Sequence, residues 1–273
     1  MDEIDRFLQE DLGKKGDITS DALFKKERAE AVIIAKQDCL VAGLSEAQRV
    51  FEKTGASSIL VSKDGNSIKK GKTVMKIQGP LRSILKGERL ALNIIGRMSG
   101  IASETHRLVG MCQTINPKVS LAGTRKTTPG FRYYEKKAII LGGGEPHRYG
   151  LYDAVLIKDN HLKEIGSIKK TITRIRQKLP NPAIEIEVEN EKDALEAARL
   201  NVQCIMLDNL SPNIGKKIAR KIRSINPEIL IEVSGGITDK NIVKYASFAD
   251  RISLGYLTHS IKNKDFSLEI FKN

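Results

Sequence analysis

The chain has 273 residues, 40% hydrophobic and 29% charged, enough for one large or two ordinary hydrophobic cores. This composition excludes long disorder, a collagen repeat and a disulfide-stapled mini-fold, and no stretch reaches the roughly 18 uncharged apolar residues of a membrane span. Lys and Arg number 46 against 33 Asp and Glu, a net charge of +13, which suits a polyanionic partner without choosing among nucleic acid, phosphorylated metabolite and acidic surface.

The chain opens on MDEIDRFLQEDLG. It is acidic and amphipathic, unlike a signal or transit peptide, so the expected location is the cytoplasm. The first hundred residues mix helix and strand. Residues 31–35 and 58–61 read as strands, and 73–77 alternate as a half-buried strand does. Gly79-Pro80 then closes a strand and opens a helical stretch from Leu81 to Cys112, with Pro80 suited to its first turn. Gly87, Gly96 and Gly100 weaken that stretch and point to two helices rather than one.

After Pro117 the rhythm changes. Apolar runs at 119–122, 154–157, 183–186, 204–207, 229–233 and 251–254 alternate with helix-like segments, among them 164–178, 191–200, 212–225 and 238–246. Repeated βα units indicate a parallel sheet. Six runs, with room for an unplaced seventh, fit an α/β barrel, complete or open; a doubly wound sheet is the runner-up. The expected division is a mixed α/β domain over 1–112 and a barrel domain with a C-terminal tail over 113–273.

The informative residues stand directly after each run. The first run leads into GTRKTTPG (123–130), the second into Lys158-Asp159-Asn160-His161, and the third into Glu187-Val188-Glu189. Then come Asp208-Asn209, Ser234-Gly235-Gly236-Ile237 and Gly255. In a βα barrel the C-terminal strand ends form one rim, and the active site sits there. Arg125, Lys126, Lys158 and the pair His147-Arg148 make that rim cationic; Arg offers a planar fork to carboxylate or phosphate and Lys a point charge. Glu187 and Asp208 are either salt-bridge partners or hard oxygen ligands for Mg²⁺. Ser234-Gly235-Gly236 and Gly255 succeed the last two strands, where glycine lets backbone N–H groups approach an anion. The set reads as a site for a phosphorylated, multiply anionic substrate, a second anion and Mg²⁺.

Other features have plainer readings. Cys39, Cys112 and Cys204 are far apart without metal-ligand spacing and read as reduced, packed thiols. Gly142-Gly143-Gly144 reads as a flexible loop carrying His147-Arg148, and His161 as a structural contact near a helix start. His106 reads as a surface residue of the long helix. The lysine pairs are dispersed, as on a solvated face, and no basic tail or aromatic-basic motif supports nucleic-acid binding. Glu185, Glu187 and Glu189 share one strand face, an expensive arrangement unless cations or a metal oppose it.

The run TRKTTPGFRYYEKKAIILGGGEPHRYGLYDAVLIKDNHL resembles the central signature of the quinolinate phosphoribosyltransferase family. ERLALNIIGRMSGIAS, EIEVEN, MLDN, EVSGGI and SLGYLTHS keep the family's order as well, so the resemblance extends from Asp17 to Ser260. It implies an N-terminal α/β domain, an open α/β barrel and a homodimer. It also implies transfer of phosphoribosyl from phosphoribosyl pyrophosphate to quinolinate with loss of CO₂, a step of NAD biosynthesis.

By the same resemblance, Arg89 reaches the partner subunit's site. Arg125, Lys126, His147, Arg148 and Lys158 bind quinolinate, with Lys126, Lys158, Glu187 and Asp208 as the catalytic set. Glu187 and Asp208 hold Mg²⁺ and the ribose side, while Ser234, Gly235, Gly236 and Gly255 take the 5′-phosphate. Two positions depart from the family pattern: Gly123 stands where Asp is frequent and Pro146 where Asn is frequent. They leave open a different small acid such as nicotinate as acceptor. A molybdenum-transport-associated relative shares the scaffold, but the intact Lys158-Asp159-Asn160-His161 argues against it. A nucleic-acid binder driven by the +13 charge is the remote alternative.

Overall fold

A computed structural model describes residues 2–271. In chain order the elements begin α1 (Glu3–Leu12), α2 (Ile18–Leu23), β1 (Arg28–Ala35), β2 (Cys39–Leu40), α3 (Leu44–Thr54), β3 (Ser57–Leu60), β4 (Ser67–Ile68) and β5 (Thr73–Pro80). They continue with α4 (Leu81–Gln113), β6 (Ser120–Ala122), α5 (Arg132–Leu141), β7 (Val155–Ile157), α6 (Asp159–Ile165), α7 (Ile168–Lys178), β8 (Ile184–Val188) and α8 (Glu191–Arg199). The last are β9 (Cys204–Asp208), α9 (Pro212–Ile225), β10 (Leu230–Ser234), α10 (Ile242–Ala246), β11 (Arg251–Ser253), α11 (Tyr256–His259) and β12 (Phe266–Phe271).

These elements form two compact units. One takes the described residues up to His106, Thr128–Gly143 and those from Ser260 on; the other takes Arg107–Thr127 and Gly144–His259. The sequence places one boundary at 112/113, whereas the chain crosses between the units four times, first inside α4. Among the described residues no helix is long and apolar enough to cross a membrane.

The first unit is built on an antiparallel sheet in the order β12-β1-β5-β3. Its edge strand β12 lies where the sequence suggests only a C-terminal tail. β12 pairs with β1 across more than two hundred residues, from Glu30↔Phe271 to Ala35↔Phe266. α1 starts on an Asp2 capping box: Ile4 N–H and Asp5 N–H donate to the Asp2 carboxylate at 2.7 and 3.2 Å.

The expected break at Leu81–Cys112 is absent. α4 is one helix of 33 residues, and Pro80 ends β5 just before it rather than entering its first turn. The glycines are sites of close approach. A Cβ on Gly96 would lie 2.8 Å from the Lys264 carbonyl oxygen, and one on Gly100 would lie 2.4 Å from that of Lys262. A Cβ on Gly87 would stand 3.0 Å from the Phe51 ring. Gly142, expected in a flexible loop, caps α5 and is buried, with Ala102 and Thr105 of α4 2.6 Å from its would-be Cβ.

Glycines of α4 should therefore respond to alanine with opposite signs. Gly110→Ala meets nothing within 4 Å and should stabilise by up to about 1 kcal/mol through helix propensity. Gly100→Ala gains the same propensity but drives a methyl into backbone, and should lose about 1–3 kcal/mol net. Melting temperatures of the two variants should move in opposite directions; equal gains would remove the packing account.

The second unit holds a parallel sheet in the order β6-β11-β10-β9-β8-β7. All six apolar runs of the sequence are strands. The sheet's end strands, β6 and β7, do not pair with each other, so the barrel is open. No seventh run is a strand of this sheet among the described residues; beyond β6 lies a single parallel bridge, Glu145 beside Ala122. The helical segment expected at 164–178 is two helices, α6 and α7, separated by Gly166 at φ +75°.

Alternation along the strands sorts the two sheet faces. Ile184, Ile186, Val188, Ile205, Leu207, Ile231, Val233, Ile252 and Leu254 are all buried and form the apolar side. Glu185, Glu187, Cys204, Asp208, Glu232, Ser234, Arg251 and Ser253 occupy the alternate positions. A barrel interior is ordinarily filled by branched apolar side chains; this one is charged.

Candidate active site

Strand register brings the sequence-predicted residues of the second unit to one rim. Ser253 pairs with Ala122, Ser234 with Asp208, and Val188 with Leu207. The residues just beyond these strands therefore emerge together, as expected of the C-terminal ends of parallel strands. Arg125 and Lys126 are exposed, and Lys158, Glu187, Asp208, Ser234, Gly235 and Gly255 are half-buried. Arg89 lies in the first unit, exposed on α4.

The cations and carboxylates pair closely. Lys158 Nζ donates to Glu187 Oε2 at 2.5 Å, so the carboxylate that Glu187 brings into the mouth is met by a cation. Lys158 is also the N-cap residue of α6, and its N–H donates to His161 Nδ1 at 2.9 Å, the structural contact expected of that histidine. Asp208 Oδ2 accepts from Asn209 Nδ2 at 2.6 Å.

Asn209 follows the run with Asp208 but receives no role from the sequence. It sits at φ +55°, donates its N–H to the Ser234 carbonyl at 3.0 Å, and fills the space where a Cβ on Gly235 would fall, 2.2 Å from its Oδ1. Gly235 and Gly236 both have positive φ, +83° and +60°, a conformation that glycine adopts freely. Gly255 leaves room for Lys126, whose Cδ would stand 2.9 Å from a Cβ there. The Thr258 hydroxyl holds the Lys126 carbonyl at 2.6 Å.

His147 and Arg148 sit lower than the other rim cations. The His147 side chain is 9% exposed and its φ is +54°, uncommon for a residue with a Cβ. Its Nε2 lies 3.3 Å from Glu232 Oε1 and 3.5 Å from Glu185 Oε2, within Coulomb reach but without well-directed hydrogen bonds. Its Nδ1 accepts the Arg148 N–H at 2.8 Å. Burial opposes a charged ring and the two carboxylates favour one, pulling the imidazole pKa upward. The Arg148 amide pulls the other way, because an imidazolium has no lone pair on Nδ1 to accept it.

Below the rim, Glu232 is fully buried and accepts from Arg251 Nη1 at 2.9 Å and from the Ser253 hydroxyl. Burial penalises its charge, but His147, Ser253 and Arg251 keep its pKa below the usual glutamate value. Arg251 also pairs with Glu145 at 3.1 Å. Arg148 is buried and donates to the Ala154 carbonyl at 3.2 Å; burial and the neighbouring Arg125 lower its pKa. The two departures from the family pattern adjoin in space, since Gly123 N–H donates to the Glu145 carbonyl at 2.9 Å and Pro146 comes directly after Glu145.

All three cysteines are free and buried. Burial pushes the Cys112 thiol up to about 11 and the other two upward as well, so they are packed thiols and not thiolate nucleophiles.

Glu187 and Asp208 carry the donor chemistry that suits Mg²⁺. They stand on neighbouring strands, β8 and β9, on the same sheet face, and both are half-buried. Their donor set is all carboxylate oxygen, with no sulfur or imidazole, and Mg²⁺ is usually held by one or two carboxylates plus substrate phosphates.

Comparison with known proteins completes the assignment. The family model for the N-terminal domain of quinolinate phosphoribosyl transferase matches residues 17–99, and that for the C-terminal domain matches 101–269. A probable nicotinate-nucleotide pyrophosphorylase [carboxylating] of Archaeoglobus fulgidus is 39% identical over 94% of this chain and 99% of its own length. A nicotinate-nucleotide pyrophosphorylase [carboxylating] of Rattus norvegicus is 36% identical over 89% of this chain and 82% of its own. The crystal structure of the nicotinate-nucleotide pyrophosphorylase from Ehrlichia chaffeensis superposes with a TM-score of 0.92, at 37% identity, over 98% of this chain and 97% of that one. With both domain models matched in order on a barrel whose strand ends carry the expected cations and carboxylates, this chain belongs to the quinolinate phosphoribosyltransferase family.

Proposed function

We propose that this chain transfers the phosphoribosyl group of phosphoribosyl pyrophosphate to quinolinate, releasing pyrophosphate and CO₂ and forming nicotinate mononucleotide for NAD biosynthesis. The observation that carries this reading is a rim whose cations, Arg125, Lys126, Arg148 and Lys158, accompany two carboxylates, Glu187 and Asp208, at aligned strand ends, in a chain that matches the family over both domains. A dicarboxylate acceptor and a polyphosphorylated donor both need such cations.

In this reading Arg125, Lys126, Arg148 and Lys158 hold the acceptor's carboxylates, with His147 beside Arg148. Ser234, Gly235, Gly236 and Gly255 take the donor's 5′-phosphate. The pyridine nitrogen attacks the anomeric carbon as pyrophosphate leaves. Glu187 and Asp208 stabilise the cationic, ribose-like transition state, and they would hold a Mg²⁺ that neutralises pyrophosphate charge when bound. The nitrogen, now a pyridinium, stabilises the carbanion left when the adjacent carboxylate departs as CO₂, and that carbon then takes a proton from water to give nicotinate mononucleotide. No strong general base is required; Lys126 and Lys158 contribute orientation and positive charge. We further propose that the enzyme works in the cytoplasm as a homodimer, with Arg89 completing the partner's site, and binds no nucleic acid.

The test mixes purified protein, quinolinate, phosphoribosyl pyrophosphate and Mg²⁺ and monitors CO₂. Release is expected with Mg²⁺ or Mn²⁺ and none in excess EDTA, and Asp208→Asn should weaken use of phosphoribosyl pyrophosphate while keeping the fold. Full turnover in chelator would take the metal out of the account. The adjoining Gly123 and Pro146 favour testing nicotinate alongside: turnover with nicotinate but not quinolinate would replace the acceptor assignment.

A further inference from the structure

Three groups beneath the rim have no role in the proposed reaction: Glu185, Glu232 and Arg251. They lie on β8, β10 and β11, and with Ser253 and Cys204 they line the charged inner face. Glu232 is fully buried, and burying a carboxylate is expensive unless it is paired and hydrogen-bonded. Here it is: Arg251, Ser253 and His147 all converge on it.

His147 Nε2, Glu185 and Glu232 also place ligand atoms within 4.8 Å of one another, as a metal site would. The ring's other nitrogen argues against a metal. Nδ1 accepts the Arg148 N–H at 2.8 Å, so its lone pair is in use and the neutral ring carries its proton on Nε2. A metal-ligating histidine needs that Nε2 lone pair free and ordinarily donates from its other nitrogen. Nε2, which then carries the proton, lies 3.3 Å from Glu232 Oε1 and 3.5 Å from Glu185 Oε2.

We infer that Glu232 is a positioning residue for the acceptor site, acting through His147 on Arg148. Glu232, fixed by Arg251 and Ser253 and assisted by Glu185, draws His147 Nε2 inward. The ring in turn holds the Arg148 amide through Nδ1 and keeps residue 147 at φ +54°. A left-handed conformation at a residue with a Cβ persists only where surroundings over-determine it, and this chain of contacts does so. The direction that the chain takes at 147–148 sets where Arg148 can meet a substrate carboxylate. The inference rests on the proposed reaction, because it assigns Arg148 to the acceptor.

The test compares wild type with Glu232→Gln and Ser253→Ala. Glu232→Gln keeps the shape but removes the charge and sets an amide NH₂ among donors. It should raise KM for quinolinate about tenfold and leave KM for phosphoribosyl pyrophosphate within about twofold. That factor of ten corresponds to about 1.4 kcal/mol, within the range of one charged hydrogen bond. Ser253→Ala removes one hydroxyl from Glu232 and should give a smaller rise with the same selectivity; it decides the matter if Glu232→Gln fails to fold. Equal rises in both KM values, or an unmoved quinolinate KM in the variants that fold, would overturn the positioning role. So would one equivalent of transition metal retained by dialysed wild type and lost from Glu232→Gln, which would make the cluster a metal site. Wild type without quinolinate turnover would sink the functional reading itself, and is distinguishable because no variant is needed to see it.

Discussion

Arg125→Ala and Lys158→Ala should each weaken quinolinate binding by about 10- to 160-fold while circular dichroism and melting temperature stay near wild type. The magnitude is that of one charge-assisted hydrogen bond, about 1.5–3 kcal/mol. Fold survival is expected because both positions lie just past strands and neither belongs to the buried core. The two variants should differ in size. Lys158 neutralises Glu187 at 2.5 Å, so its loss removes a cation from the acceptor and also bares a carboxylate that repels it. Arg125 has no such second effect, and Lys158→Ala should be the more damaging. Calorimetric titration with quinolinate checks both points; near-normal affinity in either variant would remove that residue from the acceptor site.

The rim is legible in the sequence for a physical reason. Each parallel strand is an apolar run, and the residue after the run must emerge at the same end as its neighbours. Arg125, Lys158, Glu187, Asp208, Ser234 and Gly255 can therefore be placed by counting alone. The layer beneath is half legible. Alternation puts Glu185 and Glu187 on one face and shows that something cationic has to oppose them, but nothing local says that Lys158 and His147 will. Glu232 passes as a lone charged residue in Leu230–Ser234. Its signal is a Glu at the inward position of two strands at once, β8 and β10, which becomes visible only when strand order is known.

Two further misses share a cause. The glycines of α4 look like helix breakers to a propensity argument, yet Gly96 and Gly100 answer to the backbone at Lys262 and Lys264, more than a hundred residues away. β12 is six residues that make sense only against β1. Local sequence records neither partner. Arg89 belongs to the same class: an exposed arginine on a helix carries no mark of any site, and only the family resemblance proposes a role for it.

That role makes the strongest demand on assembly. Arg89 is in one compact unit, and the residues proposed to bind the acceptor and the phosphate are in the other. If Arg89 serves the partner's site in a head-to-tail homodimer, the isolated monomer should be inactive. Assayed at quinolinate well below the wild-type KM, an Arg89→Ala chain mixed with an Arg125→Ala chain should then recover activity well above what either shows alone. In a mixed dimer one site collects both defects and the other collects neither. Statistical pairing makes about half the dimers mixed, each with one intact site of two, so roughly a quarter of wild-type activity should return. If Arg89 serves its own chain, every site keeps one defect and activity stays at the level of the single variants. The measurement is CO₂ release after subunit exchange, with mixed dimers verified by mass-tagged chains. Verified mixed dimers without recovery would refute the trans arrangement, because no pairing of the two defects could then leave a site whole.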